Sequence, residues 1–349
     1  MRRLRCRLET LFACIVAVTA TCVAADAING NSPSAPAAES RVEIVFSANK
    51  DGGWDFYRMD AGDLRMVSIT KTRHAHELWG HCSAVNHKLV YVEKGSGIHV
   101  LGLENTALAM HLVKDDQMLF SRPACATDES ILTLVKTEKT PEGMTTSGII
   151  MANPKTFEIT SIMKQEGRQT DPIWFHKSKT MLYVHAFVNP AKGSEFWSVS
   201  ADGMEATLVC ASEYADIHPD ISSDDRQIAF ASNRNGSYHI WLMSLEGSDL
   251  KQLTFGKGDD TEPKWSPDGR SILFLSDRTG RTHLYLVLVN GGDAKQLTQG
   301  LFDCAGPNWH VRPPKNSGDE TTKGDTVVAP SSAVNVDNTQ NATPGAGQN

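Results

Sequence analysis

Four residues that could bind a ligand stand directly before prolines along the chain. They are Arg122, Asp171, His218 and Glu262, and the last two lie 44 residues apart. Guanidinium, carboxylate and imidazole groups bind anions, peptide groups or divalent metal ions. If the chain repeats at this interval, equivalent positions meet in space, so we expect these side chains to surround one site. Trp79 takes the same position by alignment.

Histidines are also concentrated around Trp79. His74, His76 and His81 lie in the segment that we expect to lead into the second repeat. Imidazole and carboxylate groups together favour a divalent metal ion. The metal candidates are therefore His74, His76, His81, His218 and Glu262. The other interpretation, which we favour, is a set of hydrated or hydrogen-bonded polar side chains with no cofactor.

The segment from His76 to His81 is not a zinc-protease motif. Such a motif places two histidines four residues apart on one helix face, whereas these two are five apart and lie between predicted strands. The chain also has no Gly-x-Ser-x-Gly sequence that would present a nucleophilic serine. These absences favour a binding protein over an enzyme, although they leave metal-dependent catalysis open.

An internal repeat supplies the elements that position these residues. The segment 219–228 aligns without a gap with 263–272, and 251–254 aligns with 295–298, in both cases 44 residues on. A period of about 40 to 50 residues with several short strands per unit is typical of a β-propeller. In the clearest unit, Ser266-Pro-Asp-Gly269 forms the turn between the first two strands.

The two ends of the repeated region complement each other. The first unit, 41–70, starts at its second strand, whereas Pro307-Asn-Trp309 is a first strand with nothing after it. Pairing of these fragments would close the ring and remove a free sheet edge. The sequence therefore predicts an all-β fold, a six-bladed β-propeller of four-stranded antiparallel blades, closed by pairing of the N- and C-terminal strands.

The segments outside the repeat differ from it in composition. Residues 1–25 combine arginines, an apolar run and small residues, which predicts a cleaved signal peptide, and 26–40 is typical of a flexible linker. We expect the propeller at 41–310 and a disordered tail at 311–349, which is polar and has no aromatic residue. The prediction is an exported protein, periplasmic or extracellular, with no transmembrane span.

Charge and cysteine content narrow the possible partners. The chain has 349 residues and a formal net charge of −7, which becomes −10 if residues 1–25 are removed. An acidic exported protein does not attract nucleic acid, so we exclude nucleic acid as a partner.

Outside the predicted signal peptide, four cysteines show no metal-binding spacing: Cys82, Cys125, Cys210 and Cys304. They are either small buried side chains, which we favour, or disulfides.

The string from Asp260 to Arg270, followed by Phe-Leu-Ser-Asp-Arg-Thr-Gly280, resembles the repeat of TolB-like propellers, the WD40-like Pro-Asp repeat family. The match is specific in 217–310 and weaker, though periodic, in 41–210. The resemblance implies a six-bladed propeller that follows an N-terminal α/β domain and binds the lipoprotein Pal at its funnel mouth. We expect this chain to lack the α/β domain, because only 26–40 separates the predicted signal peptide from the first strand.

The sequence therefore favours an exported, non-catalytic binding or scaffold propeller. Its partner would be a protein or a cell-envelope component, such as a Pal-like lipoprotein, bound at the funnel mouth by a monomer. The expected binding residues are Trp79, Arg122, Asp171, His218 and Glu262. The alternative is a metal-dependent, carbohydrate-active enzyme with its site in the same mouth, similar to the oligogalacturonide lyases.

Overall fold

The computed structural model of the chain consists of β-strands and their connections. It describes residues 40–70, 77–83, 87–93, 97–104, 109–114, 120–139, 143, 145–163, 167–187, 193–202 and 206–313. Within these ranges lie 24 strands and no helix. No helix long and apolar enough to cross a membrane is therefore found in this part of the chain.

Four of the sheets contain four strands each. The first consists of β24 (Cys304–Arg312), β1 (Arg41–Ala48), β2 (Asp55–Asp60) and β3 (Met66–Ser68). The second consists of β4 (Glu77–Cys82), β5 (Lys88–Glu93), β6 (Gly97–Gly102) and β7 (Ala109–Lys114). The third consists of β16 (Asp216–Ile221), β17 (Gln227–Asn235), β18 (Ser237–Ser244) and β19 (Lys251–Gln252). The fourth consists of β20 (Asp260–Trp265), β21 (Ser271–Ser276), β22 (His283–Leu288) and β23 (Lys295–Gln296).

The remaining eight strands form one sheet, and this corrects the predicted architecture. They are β8 (Phe120–Cys125), β9 (Leu132–Lys139), β10 (Thr145–Ala152), β11 (Ile159–Met163), β12 (Arg168–Trp174), β13 (Thr180–Ala186), β14 (Ser194–Ser200) and β15 (Ala206–Ser212). The prediction of six separate four-stranded antiparallel blades is wrong. The described chain has four separate four-stranded blades and one eight-stranded sheet, in which β10 and β12 pair in parallel.

The length of β10 explains this merged sheet. β11 pairs only with the second half of β10, from Ile149 to Ala152, so β11 leaves the first half of that edge open. An open edge offers unpaired backbone groups to any neighbouring strand. β12 pairs there, with Ser147 opposite Arg168, and the Ser147 hydroxyl donates a hydrogen bond to the Gln169 carbonyl at 2.8 Å.

The predicted pairing of the two chain ends is present in the first sheet. β1 and β24 run antiparallel, with Arg41 opposite Arg312 at one end and Ala48 opposite Cys304 at the other. β24 thus extends two residues beyond the predicted boundary at 310. Just past the paired region, the backbone N–H of Asp303 donates to Asn49 Oδ1 at 2.7 Å.

Two repeated ion pairs explain part of the sequence periodicity. Arg234 Nη2 donates to Asp216 Oδ2 at 2.8 Å, and Arg278 Nη2 donates to Asp260 Oδ1 at 2.7 Å. In each case an arginine at or just past the end of a blade's second strand contacts the first residue of that blade's first strand. These arginines therefore repeat because they brace the blade, rather than because they bind a ligand.

The aromatic side chain of Trp309 tests how much the closing strand contributes to stability. It packs on the core between the first and fourth sheets, and its indole N–H donates to the Lys264 carbonyl at 3.3 Å. We expect Trp309→Ala to lower the free energy of unfolding by about 2–4 kcal/mol, because it removes a large packed side chain. Urea denaturation measures this change.

The matched control is Leu301→Ala, at a side chain that is 91% exposed. It should change the free energy of unfolding by no more than about 0.5 kcal/mol. Equal losses for the two variants would contradict a stabilising role for β24.

Candidate functional site

Six strands surround one cavity, and each contributes the residue that the sequence repeat singles out. The strands are β4, β8, β12, β16, β20 and β24, and the residues are Trp79, Arg122, Asp171, His218, Glu262 and Gly306. We call these six residues the ring. All five predicted binding residues therefore line the same space, whose volume is about 70 Å³. Whether they bind a ligand stays a prediction.

The backbone at the ring has an unusual and repeated conformation. All six residues have positive φ angles between 50° and 56°, although five of them are not glycine. Left-handed backbone of this kind costs a non-glycine residue about 1–2 kcal/mol. The six strands around the cavity, which we call the inner strands, shift register next to their ring residues. In β20 the shift lies between Thr261 and Lys264, and it marks a bulge that breaks the regular pairing of the strand.

Arg122 makes most of the polar contacts within the ring. Its Nε lies 3.3 Å from Asp171 Oδ1, and its Nη1 lies 3.5 Å from Glu262 Oε1. Its Nη2 lies 2.8 Å from His218 Nε2. The second carboxylate oxygen of Glu262 accepts a hydrogen bond from the Gly306 backbone N–H at 2.9 Å. One guanidinium group therefore links residues from three other inner strands.

These contacts set the charge state of the ring. Burial alone would raise the pKa of Asp171, but the charge of Arg122 and a hydrogen bond from the His218 backbone oppose it, and the pKa falls below its usual value. Burial lowers the pKa of His218; the Asp171 carboxylate opposes that effect and the Arg122 charge adds to it. Asp171 is therefore ionised and His218 is neutral near neutral pH.

The contact with Arg122 also fixes the tautomer of His218. A guanidinium group can only donate hydrogen bonds, so Nε2 of His218 must be the acceptor. The imidazole hydrogen then sits on Nδ1, which is buried and has no hydrogen-bond partner among the described residues. The ring thus contains one buried donor that a ligand oxygen could satisfy.

Only three of the five predicted metal ligands lie among the described residues. His74 and His76 lie outside the described residues. The described candidates His81, His218 and Glu262 do not bring ligand atoms within 4.8 Å of one another. Arg122 contacts both His218 and Glu262, and its positive charge opposes a divalent cation there.

Three polar residues near the ring were missed by the sequence analysis. Lys264 Nζ donates to Asp220 Oδ1 at 3.0 Å, and Asn308 Nδ2 donates to the carbonyl of Gly80 at 2.9 Å. Lys264 and Asn308 line the cavity. Each of the three directly follows the proline of its inner strand. The same repeat alignment, read one residue past the proline, would have found them.

Comparison with known proteins agrees with this architecture. The TolB beta propeller domain family matches residues 172–315. A search of curated protein sequences found no match. The class defined by the strands and by this match is the β-propeller. More particularly, residues 172–315 resemble the TolB beta propeller domain.

Several solved structures share the fold. A TolB candidate from Agrobacterium tumefaciens is 18% identical with a TM-score of 0.63, and the match covers 78% of this chain and 98% of that one. TolB from Acinetobacter baumannii is 13% identical with a TM-score of 0.60, covering 77% and 66%. An oligogalacturonate lyase in complex with manganese is 16% identical with a TM-score of 0.52, covering 73% of each chain. At these identities the likeness shows the fold alone.

Removal of the Arg122 charge tests how much the ion pairs of the ring contribute to stability. We expect Arg122→Gln to lower the free energy of unfolding by about 1–3 kcal/mol, because it leaves the largely buried carboxylates of Asp171 and Glu262 without the positive charge of Arg122. Chemical denaturation measures the loss. Lys179→Gln is the control, since Lys179 and its partner Asp128 are exposed, and the denaturation midpoint should not change measurably.

His81, which also lines the cavity, predicts a dependence of stability on pH. Burial lowers its pKa to about 4, whereas the unfolded chain titrates near the usual value of 6.5. Between these two pH values the unfolded state binds more protons, so stability falls as the pH decreases through this window. His81→Gln should reduce the fall by up to about 3 kcal/mol.

Urea unfolding at several pH values checks this prediction. Above about pH 7 His81 is neutral in both the folded and the unfolded state. Plots of the free energy of unfolding against pH should therefore run parallel there for the native protein and for His81→Gln. The prediction would be contradicted if the free energy of unfolding fell below pH 6.5 as steeply in His81→Gln as in the native protein.

Proposed function

We propose that this chain is an exported, non-catalytic propeller that binds a protein or cell-envelope component at the ring. The repeated left-handed backbone carries the proposal. Five non-glycine residues hold this conformation around one cavity, although glycine at Gly306 adopts it at no steric cost. Strain of this kind clusters at ligand-binding sites, where the side chain is needed in spite of its cost.

The size of the cavity supports a protein partner over a carbohydrate. Its volume of about 70 Å³ is well below the roughly 300–1,000 Å³ of pockets that enclose a small-molecule ligand. That space accommodates one polar side chain of a partner, whereas an oligosaccharide would have to remain outside. A protein that inserts a single side chain fits the ring best.

The chemistry of the ring indicates what that side chain carries. His218 Nδ1 is a buried donor without a partner among the described residues, and a ligand oxygen would remove the cost of leaving it unpaired. The carboxylates of Asp171 and Glu262 are held by Arg122 and are not free for an entering cation. The inserted group is therefore an oxygen acceptor, such as a carboxylate or an amide carbonyl.

The alternative of a metal-dependent, carbohydrate-active enzyme has less support. A general base needs a free lone pair, but Nε2 of His218 already accepts a hydrogen bond from Arg122. An acid needs a proton, but the pKa of Asp171 is lowered by its surroundings. The likeness to an oligogalacturonate lyase concerns the fold alone.

The first partner to test is a Pal-like lipoprotein, because the propeller is TolB-like. The predicted signal peptide at 1–25 would place both proteins in the same compartment, the periplasm. A monomer would present the ring to the partner without blocking it.

Titration calorimetry with the purified soluble domain of a Pal-like lipoprotein tests the proposal. We expect micromolar or tighter binding, and an affinity at least tenfold weaker for His218→Ala and for Glu262→Ala. Arg270→Ala is the control, because this exposed residue lies in the turn between β20 and β21, away from the ring. Absence of binding, or an equal loss for Arg270→Ala, would contradict the proposal.

A second assay distinguishes the proposed binding protein from the alternative, a metal-dependent, carbohydrate-active enzyme. The protein is incubated with oligogalacturonate and Mn²⁺, and the formation of unsaturated sugar products is followed. Their appearance, with loss of activity in His218→Ala, would overturn the non-catalytic assignment.

A further inference from the structure

A second cluster of polar side chains lies between the first and second sheets. His310 belongs to β24, His87 lies in the β4–β5 turn, and Glu104 follows β6. One possible ligand atom from each lies within 4.8 Å of the others. His310 is four residues beyond Gly306 on the same strand, so at about 3.3 Å per residue their Cα atoms are at most about 13 Å apart, and the bulge of the strand next to Gly306 shortens this distance.

The two imidazoles face each other through their nitrogens. His87 Nδ1 and His310 Nε2 are 3.1 Å apart. In this arrangement one nitrogen carries a hydrogen and the other accepts it. A tetrahedral zinc ion with Zn–N bonds of about 2.0–2.1 Å holds its two nitrogens about 3.3 Å apart. The observed spacing is close to that value, and each ring would have to turn so that its lone pair points at an ion beside the line between the two nitrogens.

A carboxylate orients the buried imidazole. His310 is only 2% exposed, and its Nδ1 lies 3.4 Å from Glu43 Oε2. An ionised carboxylate can only accept, so Nδ1 carries the hydrogen and the lone pair of Nε2 points to His87. Histidines that bind metals typically donate their other N–H to a carboxylate in this way.

The charged groups around the cluster pair with one another. Arg312 Nη1 lies 3.4 Å from Glu43 Oε1, and Arg312 Nε lies 3.1 Å from Glu104 Oε2. Arg58 also acts electrostatically on Glu43, so two guanidinium groups balance the two carboxylates. Arg312 can remain with Glu43 when Glu104 turns to a metal. The side chain of Glu104 is 34% exposed, so water can reach the site as a further ligand.

We propose that His87, His310 and Glu104 bind a divalent transition-metal ion, with Zn²⁺ the best fit to two nitrogens and one oxygen. The site is independent of the ring and of the partner proposed for it. It connects β24, which pairs with β1, to the second sheet. A metal ion here binds the folded state alone, because the unfolded chain does not bring the three residues together, and it therefore stabilises the closed propeller.

Zinc titration of the full chain tests the proposal. After treatment with a chelator, the protein is titrated with Zn²⁺ by calorimetry at about pH 7.5. We expect one ion per chain and a rise in the melting temperature. His87→Asn and Glu104→Gln should each weaken binding at least tenfold. Asn is chosen because it tolerates the positive φ of 50° at His87.

The matched control is His176→Asn, at an exposed histidine outside the cluster, which should bind Zn²⁺ as the native protein does. Less than a tenth of an ion per chain would overturn the proposal. Equal affinity in the native protein, His87→Asn and Glu104→Gln would also overturn it, since the ion would then occupy another site. If His87→Asn does not fold, Glu104→Gln alone decides, because Glu104 lies at the surface.

Discussion

The pairing of β1 with β24 is the constraint on which the rest of the structure depends. It joins residues that lie more than 250 positions apart, such as Asn49 and Asp303. Ordering such a long loop costs entropy before any contact compensates it. The same strand supplies Gly306 and Asn308 to the cavity, and Asn308 donates to the Gly80 carbonyl of β4. Without the closing pair, the cavity would lack one of its six walls.

Much of the fold could be predicted from the sequence because the repeated residues have local structural tasks. The hydroxyls of Thr254 and Thr298 accept hydrogen bonds from the backbone N–H groups of Ile240 and Leu284, at 2.9 and 3.0 Å, so the same residue type recurs 44 positions on. The merged sheet could not be predicted in this way. It depends on how far β10 extends past β11, and no turn residue marks that difference in length.

The position of the candidate site was predictable, whereas its chemistry was not. Each ring residue precedes the proline of its inner strand or aligns with such a position, and the alignment alone places them together. Their partners are distant in sequence: Arg122 and Glu262 are 140 residues apart. Sequence analysis therefore left a metal site and a set of hydrogen-bonded side chains as two interpretations and favoured the second. The structure adds that Arg122 contacts both His218 and Glu262, and the sequence does not specify these contacts.

The antiparallel register of the first sheet has a mechanical consequence. Arg41 and Arg312 are opposite each other, so both ends of the described chain leave the propeller at the same edge. Tension applied through these two ends would break the backbone hydrogen bonds between β1 and β24 one pair at a time, rather than slide one strand along the other. Arg312 and His310, which both contact Glu43, lie at the end of the pair that would separate first.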